Sequence, residues 1–223
     1  MHAIIGPNGA GKTTLFNLLC GVLPPTEGQV FYLGRDITQL PAHKIAHLGI
    51  GRSFQTTNIF ANLSVLENIR LAAQSMGKDN YRILRHADNF QAYIDRAEEV
   101  IEQVGLTGRE LMPARSLAHG EKRKLELGIM IASKPDLLLF DEPTAGLSSE
   151  QVPELINIIN HLVKDNQRTA ILVEHRMDMV MQVSDMVTVM SQGSILAEGS
   201  PAEIAGNTEV QRAYLGDLYG ELA

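Results

Sequence analysis

The sequence predicts an α/β fold with a parallel core sheet, and three observations support this prediction. Short apolar runs alternate along the chain with stretches in which apolar residues recur at helical spacing. The run at residues 137–140 is apolar at every position, which is typical of a strand covered on both faces. A glycine-rich turn joins the first apolar run, residues 3–5, to a helical pattern. With 223 residues the chain can bury a substantial core.

The composition is that of an ordinary globular protein. Hydrophobic residues make up 44% of the chain and charged residues 20%. The net charge of −7 argues against nucleic acid as the main partner, because neutralising phosphates requires a basic surface. The single cysteine, Cys20, cannot form an internal disulfide, and no apolar run is long enough to span a bilayer. Any work at a membrane would therefore depend on another subunit.

The glycine-rich turn has the spacing of a phosphate-binding P-loop, G-x-x-x-x-G-K-[ST], placed between a strand and a helix. Its glycines can turn successive N–H groups toward an oxyanion, and the helix directs its positive dipole end to the same place. Lys12 would reach the β- and γ-phosphates, and the Thr13 hydroxyl would bind Mg²⁺. The motif therefore predicts a P-loop NTPase. The predicted nucleotide-binding residues are Gly6, Pro7, Asn8, Gly9, Ala10, Gly11, Lys12, Thr13 and Thr14.

The elements between the P-loop helix and residue 63 are short. Residues 29–33 form a predicted strand that Gly34 ends, residues 40–48 a short helix, and residues 50–55 an extended segment. We therefore expect strands and helices to continue to alternate in this part of the chain.

From residue 64 to 133 the patterns become helical. Ser64 and Glu67 form a capping box that opens one helix, and apolar residues from 93 to 104 form a stripe at helical spacing. A further helix begins at about Gly120. We interpret this block as an insertion into the sheet.

The last third of the chain returns to alternating strands and helices. Ser148 or Ser149 is the predicted cap of an amphipathic helix in which Pro153 lies near the start. The remaining predicted elements are a strand at 169–173, a helix at 177–183 and two strands at 186–190 and 194–198 that form a hairpin. The predicted domains are a nucleotide-binding core at 1–63 and 134–200, a helical subdomain at 64–133 and a C-terminal tail at 201–223.

Two carboxylates follow the apolar run at residues 137–140. Open α/β sheets bind ligands beyond the carboxyl ends of their strands, so Asp141 and Glu142 would end a core strand beside the phosphate site. Adjacent residues at a strand end point in different directions. Asp141 can therefore serve Mg²⁺ while Glu142 polarises an attacking water. On its own, a solvated pair of turn acids would be an equally good interpretation.

In their order along the chain, these motifs resemble those of ATP-binding-cassette (ABC) ATPases, and the match runs from residue 1 to about residue 216. The additional segments that carry this resemblance are Arg52-Ser53-Phe54-Gln55, Leu117-Ala118-His119-Gly120-Glu121, Ala145-Gly146-Leu147-Ser148 and Glu174-His175. In detail the chain is similar to the ATP-binding subunits of branched-chain amino acid importers. The segments that carry this closer likeness are Gly51-Arg52-Ser53-Phe54-Gln55, Leu63-Ser64-Val65-Leu66-Glu67-Asn68, Glu174-His175-Arg176-Met177 and Ala213-Tyr214-Leu215-Gly216.

The resemblance implies roles for several residues. Gln55 would contact Mg²⁺ and water and sense the membrane subunit, and His175 would be the switch histidine that hydrogen-bonds the γ-phosphate. Residues 117–121 would reach the ATP held by a second subunit, whereas His119 itself is expected to be a surface or capping residue. The predicted catalytic residues are thus Glu142, His175, Lys12 and Gln55. The predicted metal ligands are Thr13, Gln55 and Asp141, and the predicted ligands are ATP and Mg²⁺.

The resemblance also implies a fold, partners and a location. The fold would have a RecA-like parallel core, an inserted helical subdomain and a truncated antiparallel β-subdomain. The partners would be a second ABC ATPase subunit, as a homo- or heterodimer, transmembrane permease subunits and, indirectly, an extracytoplasmic binding protein. The protein would be cytoplasmic and peripheral on the inner face of the cell membrane, where it would hydrolyse ATP to drive import of branched-chain amino acids.

Three departures from the family pattern carry expectations. Ala118 stands where serine is usual, so one contact to the partner's ATP would be lost, and Ser148 replaces a common aspartate. The family usually has some thirty residues before the equivalent of Met1, about two or three strands' worth. These would supply part of the β-subdomain and an aromatic that stacks on adenine, so adenine binding would be weaker.

Other functions remain open at this stage. One is a nucleotide-binding module with weak hydrolysis, and another is the ATPase of a related ABC system for urea or amide import or for lipopolysaccharide export. A soluble family member acting on translation or DNA repair is disfavoured, because such proteins typically carry tandem cassettes or long insertions. A small-molecule kinase would share the P-loop but has no reason to carry residues 117–121 and His175.

Overall fold

The computed structural model describes residues 1–53, 58–77, 91–164 and 168–213, and these form two compact units. The first unit comprises Met1–Ala46, Leu138–Glu142 and the chain from Thr169 onward, and the second comprises His47–Leu137 and Pro143–Arg168. The two units are defined by the contacts between their residues. The domain boundaries suggested by the sequence motifs stay a prediction.

Eight strands and eight α-helices have resolved bounds in the described ranges. The strands are β1 His2–Ile5, β2 Phe31–Tyr32, β3 Arg35–Asp36, β4 Ile50–Arg52, β5 Leu137–Asp141, β6 Thr169–Val173, β7 Met186–Ser191 and β8 Ser194–Gly199. The helices are α1 Lys12–Leu19, α2 Ala42–Ala46, α3 Val65–Ser75, α4 Gln91–Gln103, α5 His119–Ala132, α6 Val152–Lys164, α7 Met177–Val183 and α8 Pro201–Ala205.

The sheet of the first unit determines where its loops gather. Its strands follow the order β5-β6-β1-β7-β8, in which β1 is parallel to both β6 and β7, and β8 is antiparallel to β7. Ile4 pairs with Val173 of β6, so the residues after β1 and the residues after β6 leave the sheet at the same edge. The predicted parallel core is confirmed, and the P-loop begins at that edge.

Buried aliphatic residues on the middle strands form the core of this unit. Ala3 and Ile5 of β1 pack with Val187 and Val189 of β7, and Val180 of α7 covers them. A strand with buried residues on both faces is a continuous apolar run in the sequence, and β6 accordingly has its predicted bounds. Helix α7 also has its predicted bounds.

A small hairpin in the first unit was only half predicted. Strands β2 and β3 pair in antiparallel fashion around Leu33 and Gly34, whose φ angles are 49° and 77°. Two consecutive positive φ angles are those of a type I′ turn, which reverses the chain in two residues. The prediction of one strand at 29–33 is therefore wrong at both ends, because residues 29 and 30 precede β2 and Leu33 belongs to the turn.

The second unit has a helical core. Helices α3, α4 and α5 pack on one another, and a Cβ on Gly128 of α5 would lie 3.1 Å from Ile69 Cδ1 and 3.3 Å from Val100 Cγ1. The three helices therefore approach closely at a residue without a side chain. The predicted helical stripe at 93–104 is confirmed, since Val100 and Ile101 are fully buried.

One predicted helix cap is wrong. Helix α6 begins at Val152, so neither Ser148 nor Ser149 directly precedes it. Instead the carbonyl of Ser148 accepts hydrogen bonds from Gln151 N and Val152 N in a turn. Of the described helices, α5 is the longest at 14 residues, and none combines the length and apolarity needed to cross a bilayer.

Candidate functional site

The loop between β1 and α1 has the backbone of a phosphate cradle. Gly6, Gly9 and Gly11 have φ angles of 153°, 78° and 98°, which side-chain-bearing residues rarely adopt. A Cβ on Gly6 would collide with the carbonyl oxygen of Met190, whereas the space around Gly9 is open. The loop thus requires glycine for two different reasons, tight packing at Gly6 and conformation at Gly9.

Lys12 places its charge over this loop. Its side chain is buried, and Nζ donates hydrogen bonds to the carbonyl oxygens of Gly6 at 2.7 Å and Pro7 at 3.0 Å. A buried ammonium beside a helix N-terminus makes a strongly positive position suited to a polyphosphate. The residues present therefore fit the phosphates of a nucleotide.

The turn between β7 and β8 contacts the phosphate cradle. Gly193 N donates to the carbonyl of Ala10 at 3.0 Å, and a Cβ on Gly11 would lie 3.5 Å from Gly193 Cα. This contact was not predicted from the sequence. The Gln192-Gly193 pair indicated a turn, but nothing in its composition indicated that the turn contacts a loop near the start of the chain.

Asp141 and Glu142 follow the sheet as predicted, and their environments differ. Asp141 is the last residue of β5 and is buried, while Glu142 is partly exposed and has a φ of 49°. A non-glycine residue in the left-handed region carries local strain, which is a recurring feature of functional sites. The neighbouring carboxylates are thus presented to different surroundings.

Glu142 is tied to the end of β6 by two contacts. Its backbone N–H donates to the carbonyl of Val173 at 2.9 Å, and its Oε1 lies 2.8 Å from His175 Nε2. The residues of this carboxylate–histidine pair are 33 positions apart in sequence. The structure therefore brings together two of the predicted catalytic side chains, at the sheet edge where the P-loop begins.

In the second unit, residues 117–121 form the start of α5. Ala118 is the N-cap, and its N–H donates to Glu121 Oε2 at 2.9 Å. That hydrogen bond, followed by one from the Arg109 guanidinium, lowers the pKa of Glu121 below its usual range. Leu117 is buried, and His119 is exposed as predicted.

Residues 119 and 120 also contact the loop that precedes α6. A Cβ on Gly146 would lie 3.1 Å from His119 Cε1, and a Cβ on Gly120 would lie 3.0 Å from Gln151 Nε2. Gln151 in turn accepts a hydrogen bond from Ser148 N at 3.2 Å. The start of α5 and the 145–151 turn thus pack against each other within the second unit.

The remaining predicted site residues lie either in the first unit or outside the described residues. Pro7, Asn8, Thr13 and Thr14 accompany the P-loop glycines in the first unit, where both threonines are exposed in the first turn of α1. Gln55 lies outside the described residues, so its predicted contacts stay a prediction.

Comparison with known proteins places this chain among ATP-binding cassettes. A family model described as "ABC transporter" matches residues 1–145, and one described as "Branched-chain amino acid ATP-binding cassette transporter" matches residues 194–218. The branched-chain amino acid transport ATP-binding protein LivG of Salmonella typhimurium is 38% identical over 96% of this chain and 86% of its own length.

Two further matches extend the comparison. The lipopolysaccharide export ATP-binding protein LptB of Escherichia coli is 33% identical over 96% of this chain and 85% of its own length. The solved structure of the ADP conformation of MJ1267, an ATP-binding cassette of an ABC transporter, superimposes with a TM-score of 0.80. It is 28% identical and covers 97% of this chain and 87% of its own.

Proposed function

We propose that this chain, which belongs to the ABC transporter family as an ATP-binding and ATP-hydrolysing subunit, powers the import of branched-chain amino acids. The proposal is supported by the match at residues 194–218 to a model specific for branched-chain amino acid cassettes. It is also supported by the 38% identity to LivG, whose name states that transport.

The site geometry supports the hydrolytic roles that we propose. Lys12 and the P-loop N–H groups would hold the β- and γ-phosphates of ATP, as their buried, positive setting favours. Glu142 would polarise a water for attack on the γ-phosphorus, and the bond to the β-phosphate oxygen would break to release ADP and phosphate. The 2.8 Å contact between Glu142 and His175 is the observation that carries this assignment.

Mg²⁺ would neutralise charge on the phosphate oxygens during this reaction. Thr13 and Asp141 would hold it together with Gln55. Among the described residues, no group of three or more acidic, histidine or cysteine side chains could hold a metal ion. The nucleotide phosphates and water would supply its other ligands, as they commonly do for Mg²⁺ in nucleotide-binding proteins.

The assembly we propose has two such subunits bound to transmembrane permease subunits at the inner face of the membrane. Each P-loop would face residues 117–121 of the partner, so that closure of the pair around ATP would drive the permeases. The extracytoplasmic binding protein would act on the permeases and contact this chain only indirectly.

The substitution Glu142→Gln tests the hydrolytic assignment. The amide keeps the size of the side chain but cannot serve as a base, so ATP turnover should fall by about 10²–10⁴-fold while ATP binding persists. Phosphate release and equilibrium binding of labelled ATP would be measured together. Unchanged turnover in this variant would remove Glu142 from the proposed role.

The transported substrate is tested in the assembled transporter. The protein would be co-expressed with the permease genes that neighbour its own, purified through an affinity tag and reconstituted in vesicles with the binding protein. We expect leucine, isoleucine or valine to stimulate ATP hydrolysis. Co-purification with lipid-transporting permeases, with no stimulation by these amino acids, would instead favour an export system of the LptB kind.

A further inference from the structure

Glu174, the residue before His175, carries a buried carboxylate to which the sequence analysis gave no role of its own. The residue is 3% exposed and directly follows β6. Its Oε2 accepts hydrogen bonds from the backbone N–H of His175 at 3.0 Å and of Arg176 at 3.4 Å. One carboxylate oxygen thus holds two successive N–H groups of the turn that follows the strand.

This turn leads directly into α7. Arg176 is the N-cap residue of that helix, and its guanidinium, which has no acceptor for backbone N–H groups, donates to Asp178 instead. The N–H groups before a helix need acceptors from outside it. Glu174 supplies such an acceptor from the strand side, and in doing so fixes the backbone at His175.

The backbone at His175 matters because little else holds its ring. The His175 side chain is 43% exposed, so packing against neighbours restrains it only in part. Its Nε2 nevertheless lies 2.8 Å from Glu142 Oε1, and the Glu142 backbone is bonded to Val173. A closed path of contacts therefore runs from Glu142 through His175 and Glu174 to Val173, joining the ends of β5 and β6.

A buried glutamate is a costly means of accepting two backbone hydrogen bonds. Removing a carboxylate from water carries a large penalty, and the hydroxyl of serine or threonine could accept from a nearby N–H without it. The glutamate side chain is longer than that of serine or threonine and reaches the N–H groups of both following residues.

We propose that Glu174 is a positioning residue for ATP hydrolysis, which holds the His175 backbone so that the imidazole stays in contact with Glu142. The proposal rests on the catalytic role given above to His175. Glu174 itself touches neither nucleotide nor water in this mechanism and acts through His175.

Two substitutions by residues of similar length test whether the hydrogen-bond acceptor or the volume of the Glu174 side chain is required. Glu174→Gln retains an oxygen that can accept both N–H groups, and Glu174→Met fills similar space without an oxygen. We expect the Met variant to lower kcat at least tenfold with little change in KM, and the Gln variant to stay within about threefold of wild type. Equal losses in both variants would overturn the proposal, as would no loss in the Met variant.

Double substitution tests whether Glu174 acts through His175. In a His175→Ala background, adding Glu174→Met should cause no further loss of single-turnover phosphate release, because the group being positioned is already absent. A further tenfold loss would overturn the proposal. Ser200→Ala, which removes a helix cap elsewhere in the same unit, should leave kcat unchanged in the wild-type background.

Hydrogen exchange gives a readout that does not depend on activity. The amide protons of His175 and Arg176 should exchange faster in the Met variant than in wild type and should stay protected in the Gln variant. If circular dichroism shows that the Met variant is unfolded, Glu174→Ala replaces it in every comparison. Unchanged exchange in a folded variant lacking the acceptor would overturn the proposal.

The outcomes also distinguish this inference from the proposed function. If His175→Ala alone leaves turnover unchanged, the catalytic role of His175 is wrong and the premise of the inference falls with it. If His175→Ala abolishes turnover while Glu174→Met does not, the proposed function stands and the positioning role of Glu174 is refuted.

Discussion

Ala118 begins helix α5 without the hydroxyl that commonly caps a helix. Its backbone has the extended angles of an N-cap, φ −64° and ψ 162°, and its N–H bonds Glu121, so half of a capping box is present. In α8 both halves exist, because Ser200 and Glu203 bond each other's backbone N–H groups. The alanine therefore provides no side-chain acceptor for the first N–H groups of α5, and this should lower the stability of the helix.

We predict that Ala118→Ser stabilises the protein by about 0.5–1 kcal/mol, since a serine at the N-cap adds a hydrogen bond to the N3 backbone N–H. Urea unfolding would measure the change. Ser200→Ala, which removes the equivalent hydrogen bond from α8, is the matched control and should destabilise by a similar amount. A neutral or destabilising effect of Ala118→Ser would contradict the capping geometry.

Among the elements, the junction of β1 with the P-loop is tightly constrained. Gly6 lies against the backbone of β7, and a backbone neighbour cannot rotate away as a side chain can. Gly9 has a positive φ but open surroundings. The two glycines therefore separate steric from conformational cost within one loop.

We predict that Gly6→Ala destabilises the protein more than Gly9→Ala does. Gly9→Ala should cost about 1–2 kcal/mol for the left-handed backbone alone. Gly6→Ala adds a collision with the Met190 carbonyl, and overpacking of this kind costs roughly a further 1–3 kcal/mol. Thermal unfolding midpoints of both variants check the order, and equal midpoints would show that the β1–β7 contact can relax.

Elements were predictable where the local pattern is strong. Strand β6 and helix α7 occupy their predicted residues because a buried strand and an amphipathic helix each leave a continuous signature. The β2–β3 hairpin and the start of α6 were mispredicted. The hairpin depends on a leucine at positive φ, which its residue type disfavours. The start of α6 depends on a turn at Ser148, and serine favours turns as well as helix caps.

At the scale of the whole molecule, nucleotide binding should be linked to stability. The P-loop rests on the β7–β8 turn and begins at β1, so a ligand held there engages the middle of the first unit's sheet. A ligand that binds only the folded state stabilises it in proportion to the logarithm of its concentration.

We predict that ATP with Mg²⁺ at about 100 times its Kd stabilises the wild-type protein by about 2.7 kcal/mol. Lys12→Ala should abolish most of the accompanying rise in Tm, because its ammonium would neutralise the phosphates. Differential scanning fluorimetry with ATP, with ATP plus EDTA and without nucleotide measures the effect. A full Tm rise in the Lys12→Ala variant would refute the assigned role, and EDTA should reduce the rise in wild type.

The residues that we propose to meet a nucleotide could be predicted from the sequence alone, because the P-loop and the paired acids at the end of β5 are local patterns whose chemistry follows from residue type and spacing. The pairing of Glu142 with His175, the hydrogen bond from Gly193 to Ala10 and the contact of Glu174 with the turn between β6 and α7 are seen only in the folded protein. This is because periodicity and composition describe neighbours along the chain. Contacts between strand ends depend instead on strand order and register, which the whole sheet sets together.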